Sequence, residues 1–218
     1  MSKKAYVTPR SLPRKVTSWK RQIAGYERHP YAIRPDRTAL LVIDMQSYFT
    51  SPDSHAFLPA SGAILPQIVR LVSMFRKDGM PVIFTRHVDL EGREGLMGVW
   101  WKAPIRAGDP MSRLDPRVDS ECCRIIRKHR YSAFAGTRLA SMLRREKVDT
   151  VAISGVMTHL CCETTAREAF MRDIRVVFLM DGTATQDEAL HVSSLRTLAD
   201  GFAEVMTCRE LQGRLGWK

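Results

Sequence analysis

The segment from Ser154 to Arg167, SGVMTHLCCETTAR, places Cys161 where an apolar strand pattern gives way to a helical one. A thiol at a helix N-terminus faces the positive end of the helix dipole and unpaired backbone N–H groups, which favours its thiolate and equips it as a nucleophile. The same N–H groups suit the oxyanion of a tetrahedral intermediate. The plainer reading is a small buried hydrophobe, the commoner fate of a lone cysteine. Lys128 closes another apolar run and offers a cation that stabilises a thiolate or orients a carboxylate. Asp44 ends the run Ala39-Leu-Leu-Val-Ile-Asp44 and offers a proton shuttle. Taken singly, Asp44 reads equally as a loop cap and Lys128 as a solvated charge. Brought together, the three supply a base, an electrostatic aid and a nucleophile.

For these groups to meet, the fold must gather several strand ends. The continuous apolar run at 39–44 has the composition of a strand buried on both faces of a parallel sheet. Further strands are expected at 81–86, 123–127, 148–154, 174–180 and 203–207. Helical spacing is expected at 62–78, closed by Gly79, and at 136–147, 160–172 and 187–200. Six strands alternating with helices predict a three-layer α/β/α, Rossmann-like fold on a six-stranded parallel sheet. Ligands in such sheets bind beyond the carboxyl ends of the strands, where Asp44, Arg86, His87, Lys128 and the 155–162 segment fall. The stretch 88–120 contains Trp100 and Trp101 but little periodicity, and reads as a lid or a subunit contact.

Charge divides the chain into two parts. Residues 1–37 hold ten Lys/Arg against Glu27 and Asp36, so this basic arm carries +8 of the net +11 and the remaining 38–218, the expected catalytic domain, carries only +3. The arm is expected to wrap the body or a neighbouring subunit rather than nucleic acid. No apolar run approaches the roughly 20 residues needed to span a bilayer, and the N-terminus lacks the apolar core of a signal peptide. No membrane partner and a cytoplasmic location are the expectations. The five cysteines (122, 123, 161, 162 and 208) are odd in number and lack zinc-ligand spacing, which predicts reduced thiols and no structural zinc.

Three motifs resemble those of the isochorismatase-like cysteine hydrolases, over about residues 37 to 207. They are Leu41-Val-Ile-Asp-Met-Gln46 followed by Tyr48 and Phe49; Lys128-His-Arg-Tyr-Ser-Ala-Phe134 with Gly136-Thr-Arg-Leu139; and Gly155-Val-Met-Thr-His-Leu-Cys161 through Thr165-Ala-Arg167. The resemblance implies an Asp44–Lys128–Cys161 triad and a non-proline cis peptide between Val156 and Met157, with the N–H groups of Met157 and Cys161 at the oxyanion. It also implies a homodimer or homotetramer and a small-molecule substrate. Nicotinamidases of the family bind a metal through an Asp-x-His set that Arg86-His-Val-Asp89 does not match, so no metal or other cofactor is expected. Substrate contacts are expected from Gln46, Arg86, His87, Trp100, Arg130, Tyr131 and His159, an Arg/His cluster suited to a carboxylate-bearing compound.

The leading expectation is a cysteine hydrolase that cleaves an amide or carbamoyl C–N bond through a thioester. Isochorismatases of the family read Tyr-Ala-His-x-Gly-Cys where this chain reads Met157-Thr-His-Leu-Cys-Cys162, which puts their glycine at Cys161. The alternatives are therefore an isochorismatase-type vinyl ether hydrolase without covalent catalysis and a non-catalytic, thiol-containing binding protein.

Overall fold

The computed structural model describes residues 4–26, 30–101 and 103–217, so 1–3 and 27–29 of the basic arm lie outside the described residues. Six strands form one all-parallel sheet: β1 (Thr38–Ile43), β2 (Val82–His87), β3 (Arg124–Lys128), β4 (Thr150–Val156), β5 (Arg175–Ala184) and β6 (Glu204–Met206). Their order is β3-β2-β1-β4-β5-β6, so the chain reverses its direction of travel across the sheet between β1 and β4. That crevice is where doubly wound sheets bind ligands. Every residue of β1 and β4 is buried, in keeping with their largely apolar composition.

Helices cover both faces and give three layers. The helix α1 (Leu12–Ile23) lies in the arm, and α2 (Ser47–Thr50) follows β1. The helix α3 (Ser61–Lys77) buries Ile64, Leu65, Ile68, Leu71, Val72 and Phe75 along one stripe, each contributing about 1.5–3 kcal/mol by burial. Gly79 follows at φ +67, a conformation that costs glycine nothing. Next come α4 (Leu96–Trp101), α5 (Leu139–Arg145), α6 (Glu163–Phe170), α7 (Glu188–Gly201) and α8 (Cys208–Arg214). Val7, Leu12, Trp19 and Ile23 join the same apolar core as the sheet. Among the described residues no helix is long and apolar enough to cross a membrane.

Several boundaries differ from the sequence expectation for local reasons. The helix expected from Gly136 begins at Leu139. Gly136 has φ +66, and the Thr137 hydroxyl donates to the Ala133 carbonyl and accepts from the Leu139 N–H, building a turn first. The helix expected over 160–172 splits into a π-turn, Thr158–Cys162, and then α6. β5 continues to Ala184 because its pairing with β4 shifts register between Ile153 and Gly155. Gly155 has φ +112, and a Cβ there would stand 2.0 Å from the Ile43 carbonyl oxygen, so only glycine lets β4 approach β1 this closely.

Candidate active site

Asp44 leaves the end of β1 with φ +48 and is fully buried. Its Oδ1 accepts from the Thr85 hydroxyl at 2.6 Å, and its backbone N–H donates to that hydroxyl oxygen at 3.1 Å, so β2 fixes the carboxylate. Lys128 ends β3 and is also fully buried. Its ammonium stands 2.7 Å from Asp44 Oδ2 and donates to the Arg130 carbonyl at 3.0 Å and to Cys161 Sγ at 3.3 Å. Cys161 comes from the π-turn after β4, in which the Leu160 and Cys162 N–H groups both donate to the Met157 carbonyl. The peptide between Val156 and Met157 is cis. Three segments far apart in the chain thus converge at the β1/β4 switch point.

Electrostatics sets the resting protonation. Burial opposes the charge on Lys128, but the Asp44 carboxylate and the Cys161 sulfur beside it hold its ammonium above the ordinary range. Burial pushes the Cys161 thiol up to about 12. Lys128 pulls against that shift, and Asp44 adds to it. The expectation of a favoured thiolate is therefore corrected: the surroundings of Cys161 are too dry and too close to a carboxylate for the resting thiol to ionise. Lys128 is thus held as an ammonium and the Cys161 thiol as a neutral group, and proton loss from the thiol needs an acceptor at hand.

Asp44 and Cys161 open into a cavity of about 570 Å³. Its walls are largely aromatic and apolar, including Tyr48, Phe57, Pro104, Met157 and Leu160. Tyr131 lines it, and its hydroxyl accepts from Trp101 Nε1 at 2.7 Å, tying the 88–120 loop across the mouth. His87 lines it too. Its Nε2 is 3.2 Å from Asp89 Oδ1, while its buried Nδ1 has no hydrogen-bond partner. Burial raises the Asp89 carboxyl, but bonds from His87 and the Ile105 N–H outweigh this and hold it below the ordinary range.

Other residues expected to contact substrate do not line this cavity. Arg86 projects from the opposite face of β2, where its guanidinium donates to the carbonyls of Ser112 and Ala107. Trp100 is 77% exposed and does not line the cavity. The Arg130 guanidinium donates to its neighbour His129's carbonyl at 2.7 Å, away from the cavity. Gln46 is fully buried and clamps the end of β2, exchanging bonds with both backbone groups of His87. His159 bonds the Thr185 hydroxyl at 2.7 Å, also outside the cavity lining. Val156 is buried in β4, with Met157 at the wall. The Arg/His cluster read as a carboxylate site is not assembled.

Conversely, sequence reasoning did not find Tyr48, His55 or Trp101 as cavity residues. Tyr48 lies two residues past Gln46, and its hydroxyl bonds His55 Nε2 at 3.0 Å. An aromatic run directly after the Asp44 strand end was the available signal. Among the described residues no group of three or more His, Cys, Asp or Glu side chains is placed to hold a metal ion.

A family model described as "Isochorismatase domain" matches residues 38–210. Nicotinamidase 3 of Arabidopsis thaliana is 39% identical over 189 residues, spanning 81% of this chain and 88% of that protein. Enterobactin synthase component B of Escherichia coli K12 is 30% identical over 215 residues, spanning 95% of this chain and 70% of that protein. A solved cysteine hydrolase from Pseudomonas syringae pv. phaseolicola superposes with a TM-score of 0.83 at 29% identity, covering 86% of this chain and 96% of that one. With the parallel sheet, the convergent strand ends and these relatives in agreement, the chain belongs to the isochorismatase family and is a hydrolase of it.

Proposed function

We propose that this chain hydrolyses a C–N bond of a small, uncharged amide through a thioester on Cys161, with residues 38–218 as the hydrolase domain and 1–37 as its arm. The observation that carries this reading is the thiol itself, hydrogen-bonded to Lys128 beside the Asp44 carboxylate at the cavity floor. Asp44 accepts the thiol proton as sulfur attacks the carbonyl carbon, and Lys128 steadies the thiolate that forms. The N–H groups of Met157 and Cys161 hold the oxyanion. Asp44 returns the proton to the departing nitrogen, the C–N bond breaks, and a thioester remains. Asp44 then takes a proton from water, whose oxygen attacks the thioester. The C–S bond breaks, and the thiol regains its proton.

The aromatic walls favour a flat substrate, and the orphaned Nδ1 of His87 supplies a polar handle for it. Because a relative 39% identical carries the name nicotinamidase, nicotinamide is the first compound to assay. Other relatives bear the names ureidoacrylate amidohydrolase and N-carbamoylsarcosine amidase, which also denote C–N cleavage. A second reading rests on the relatives named isochorismatase, in which Asp44 would protonate an enol ether and Cys161 would stand by. Replacing Cys161→Ala separates the two. Loss of turnover, with an acyl adduct on the wild-type enzyme by intact-mass spectrometry after a brief substrate pulse, is the expected result. Retained turnover in the variant would refute the thioester route.

A further inference from the structure

The arm reaches the back of the nucleophile turn through one buried histidine. His191 of α7 is fully buried, and its Nε2 bonds the Met180 carbonyl at 3.1 Å. A carbonyl only accepts, so Nε2 carries the proton and Nδ1 of the neutral ring accepts. Its partner there, at 3.0 Å, is the hydroxyl of Thr158, the first residue of the π-turn that delivers Cys161. The outer side of His191 is closed by the arm. The Trp19 ring lies 4.5 Å from the imidazole and the Tyr6 ring 5.9 Å, centroid to centroid. Trp19 is in turn anchored, its Nε1 donating to Glu188 at 2.8 Å, and Lys15 pairs with the same carboxylate. The Tyr6 hydroxyl accepts from the Thr185 N–H, and the Thr185 hydroxyl bonds His159 of the same turn. All these arm residues lie outside the family match at 38–210.

We infer that Trp19 and Tyr6 are positioning residues for the Cys161 turn: they wall His191 off from water so that its Nδ1 remains an acceptor for the Thr158 hydroxyl. This rests on the reading of Cys161 as nucleophile. Burial pulls the His191 ring down to about 4, so it stays neutral throughout the working range. Opening the wall admits water and returns it toward the ordinary value of about 6.5. Once protonated, Nδ1 is a donor, the Thr158 bond is lost and the turn loosens. The charged group acting on the ring is Glu188 of α7, paired with Lys15 of the arm; the other titratable group against it is Tyr6, whose hydroxyl burial pushes above its ordinary range. Glu188 is raised by burial but held below the ordinary carboxylate range by Lys15 and Trp19, so it does not titrate between pH 5.5 and 7.5.

The test compares full-length wild type with Trp19→Ala, following the rate of iodoacetamide alkylation at Cys161 by peptide mass spectrometry from pH 5.5 to 7.5. The wild-type/variant rate ratio is expected to rise about tenfold as pH falls across that range, from the protonated fraction of a histidine near its ordinary value. Trp19→Phe, which keeps a ring against His191, should hold the ratio flat. A purely structural defect lowers the rate equally at every pH, so a ratio constant within twofold overturns the inference. Should Trp19→Ala not fold, Thr158→Val decides: a Cys161 rate at least fivefold below wild type, restored by Thr158→Ser, supports the inference, and an unchanged rate overturns it. Absence of an acyl adduct on wild-type Cys161 after a substrate pulse overturns this inference and the proposed function together. A reactive Cys161 with a flat ratio overturns this inference alone.

Discussion

Replacing Lys128→Met tests the buried charge arrangement most directly. Lys128 and Asp44 are both fully buried, 2.7 Å apart. Methionine matches much of the lysine volume, so the packing loss is small and the effect is electrostatic. It strands the Asp44 carboxylate in a dry site, leaving Oδ1 its bond from Thr85 and Oδ2 without a cation. Breaking one side of a buried pair costs about 3–5 kcal/mol, whereas replacing both partners is nearly neutral. For a chain of this length, 1 kcal/mol corresponds to roughly 2–4 °C in Tm, so the single variant should melt about 6–20 °C below wild type. The double variant Asp44→Asn/Lys128→Met should recover most of that loss, because the introduced amide keeps an oxygen for the Thr85 hydroxyl and carries no charge. Thermal unfolding monitored by circular dichroism at pH 7.5 reads both numbers. Neither variant should turn over substrate, so stability and activity separate in the double variant. A double variant that melts no higher than Lys128→Met would refute this account of the pair.

Two further outcomes follow from the geometry. Gly155→Ala places a methyl 2.0 Å from the Ile43 carbonyl oxygen at φ +112. It should cost more than about 4 kcal/mol and abolish soluble expression, and a soluble variant melting within a few degrees of wild type would contradict the close β1/β4 approach. Because the Cys161 thiol is pushed up to about 12, its iodoacetamide rate in the wild type should climb about tenfold per pH unit between pH 7 and 10. A plateau near neutral pH would mean that Lys128 already holds a resting thiolate.

The centre of the sheet was legible because β1, β4 and the first half of β5 are short apolar runs, whereas the edge strand β3 is Arg-Ile-Ile-Arg-Lys. After its first threonine β1 has no polar side chain at all, and β4 has only Ser154. Asp44, Lys128 and Cys161 were legible as polar residues at or just beyond strand ends, and the fold brings the three side chains together. The residues that line the cavity were not, and alternation explains one difference. In the register of β2 with β3, His87 pairs with Lys128 and Arg86 with Arg127, so one pair faces the cavity and the other turns away. Arg86 and His87 are neighbours and cannot both enter. Trp101 and His55 depend on how two loops fold over the strand ends, which no periodicity encodes. The C-terminal helix α8 was missed despite its capping box, Thr207 with Glu210, a signal short enough to hide behind the last strand. The π-turn at Thr158–Cys162 was hidden because its residues suit an α-helix equally well; the widening comes from the Cys162 N–H reaching back to Met157.

The reversal of strand order also divides the chemistry between two halves of the polypeptide. Asp44 and Lys128 belong to the first three strands, and Cys161 follows the fourth. The exposed Lys147, at φ +57 in the turn before β4, marks a natural place to cut between them. A fragment ending there would hold Asp44 and Lys128 without Cys161, and the remainder would hold Cys161 without either. Six residues of β1, Thr38 to Ile43, align in register with Thr150 to Gly155 of β4, and the packing of α3 on β5 and of α1 on α7 adds to that seam in rejoining the two pieces. Hydrolysis in a mixture of the two pieces would therefore report their reassociation, with neither piece contributing a background of its own.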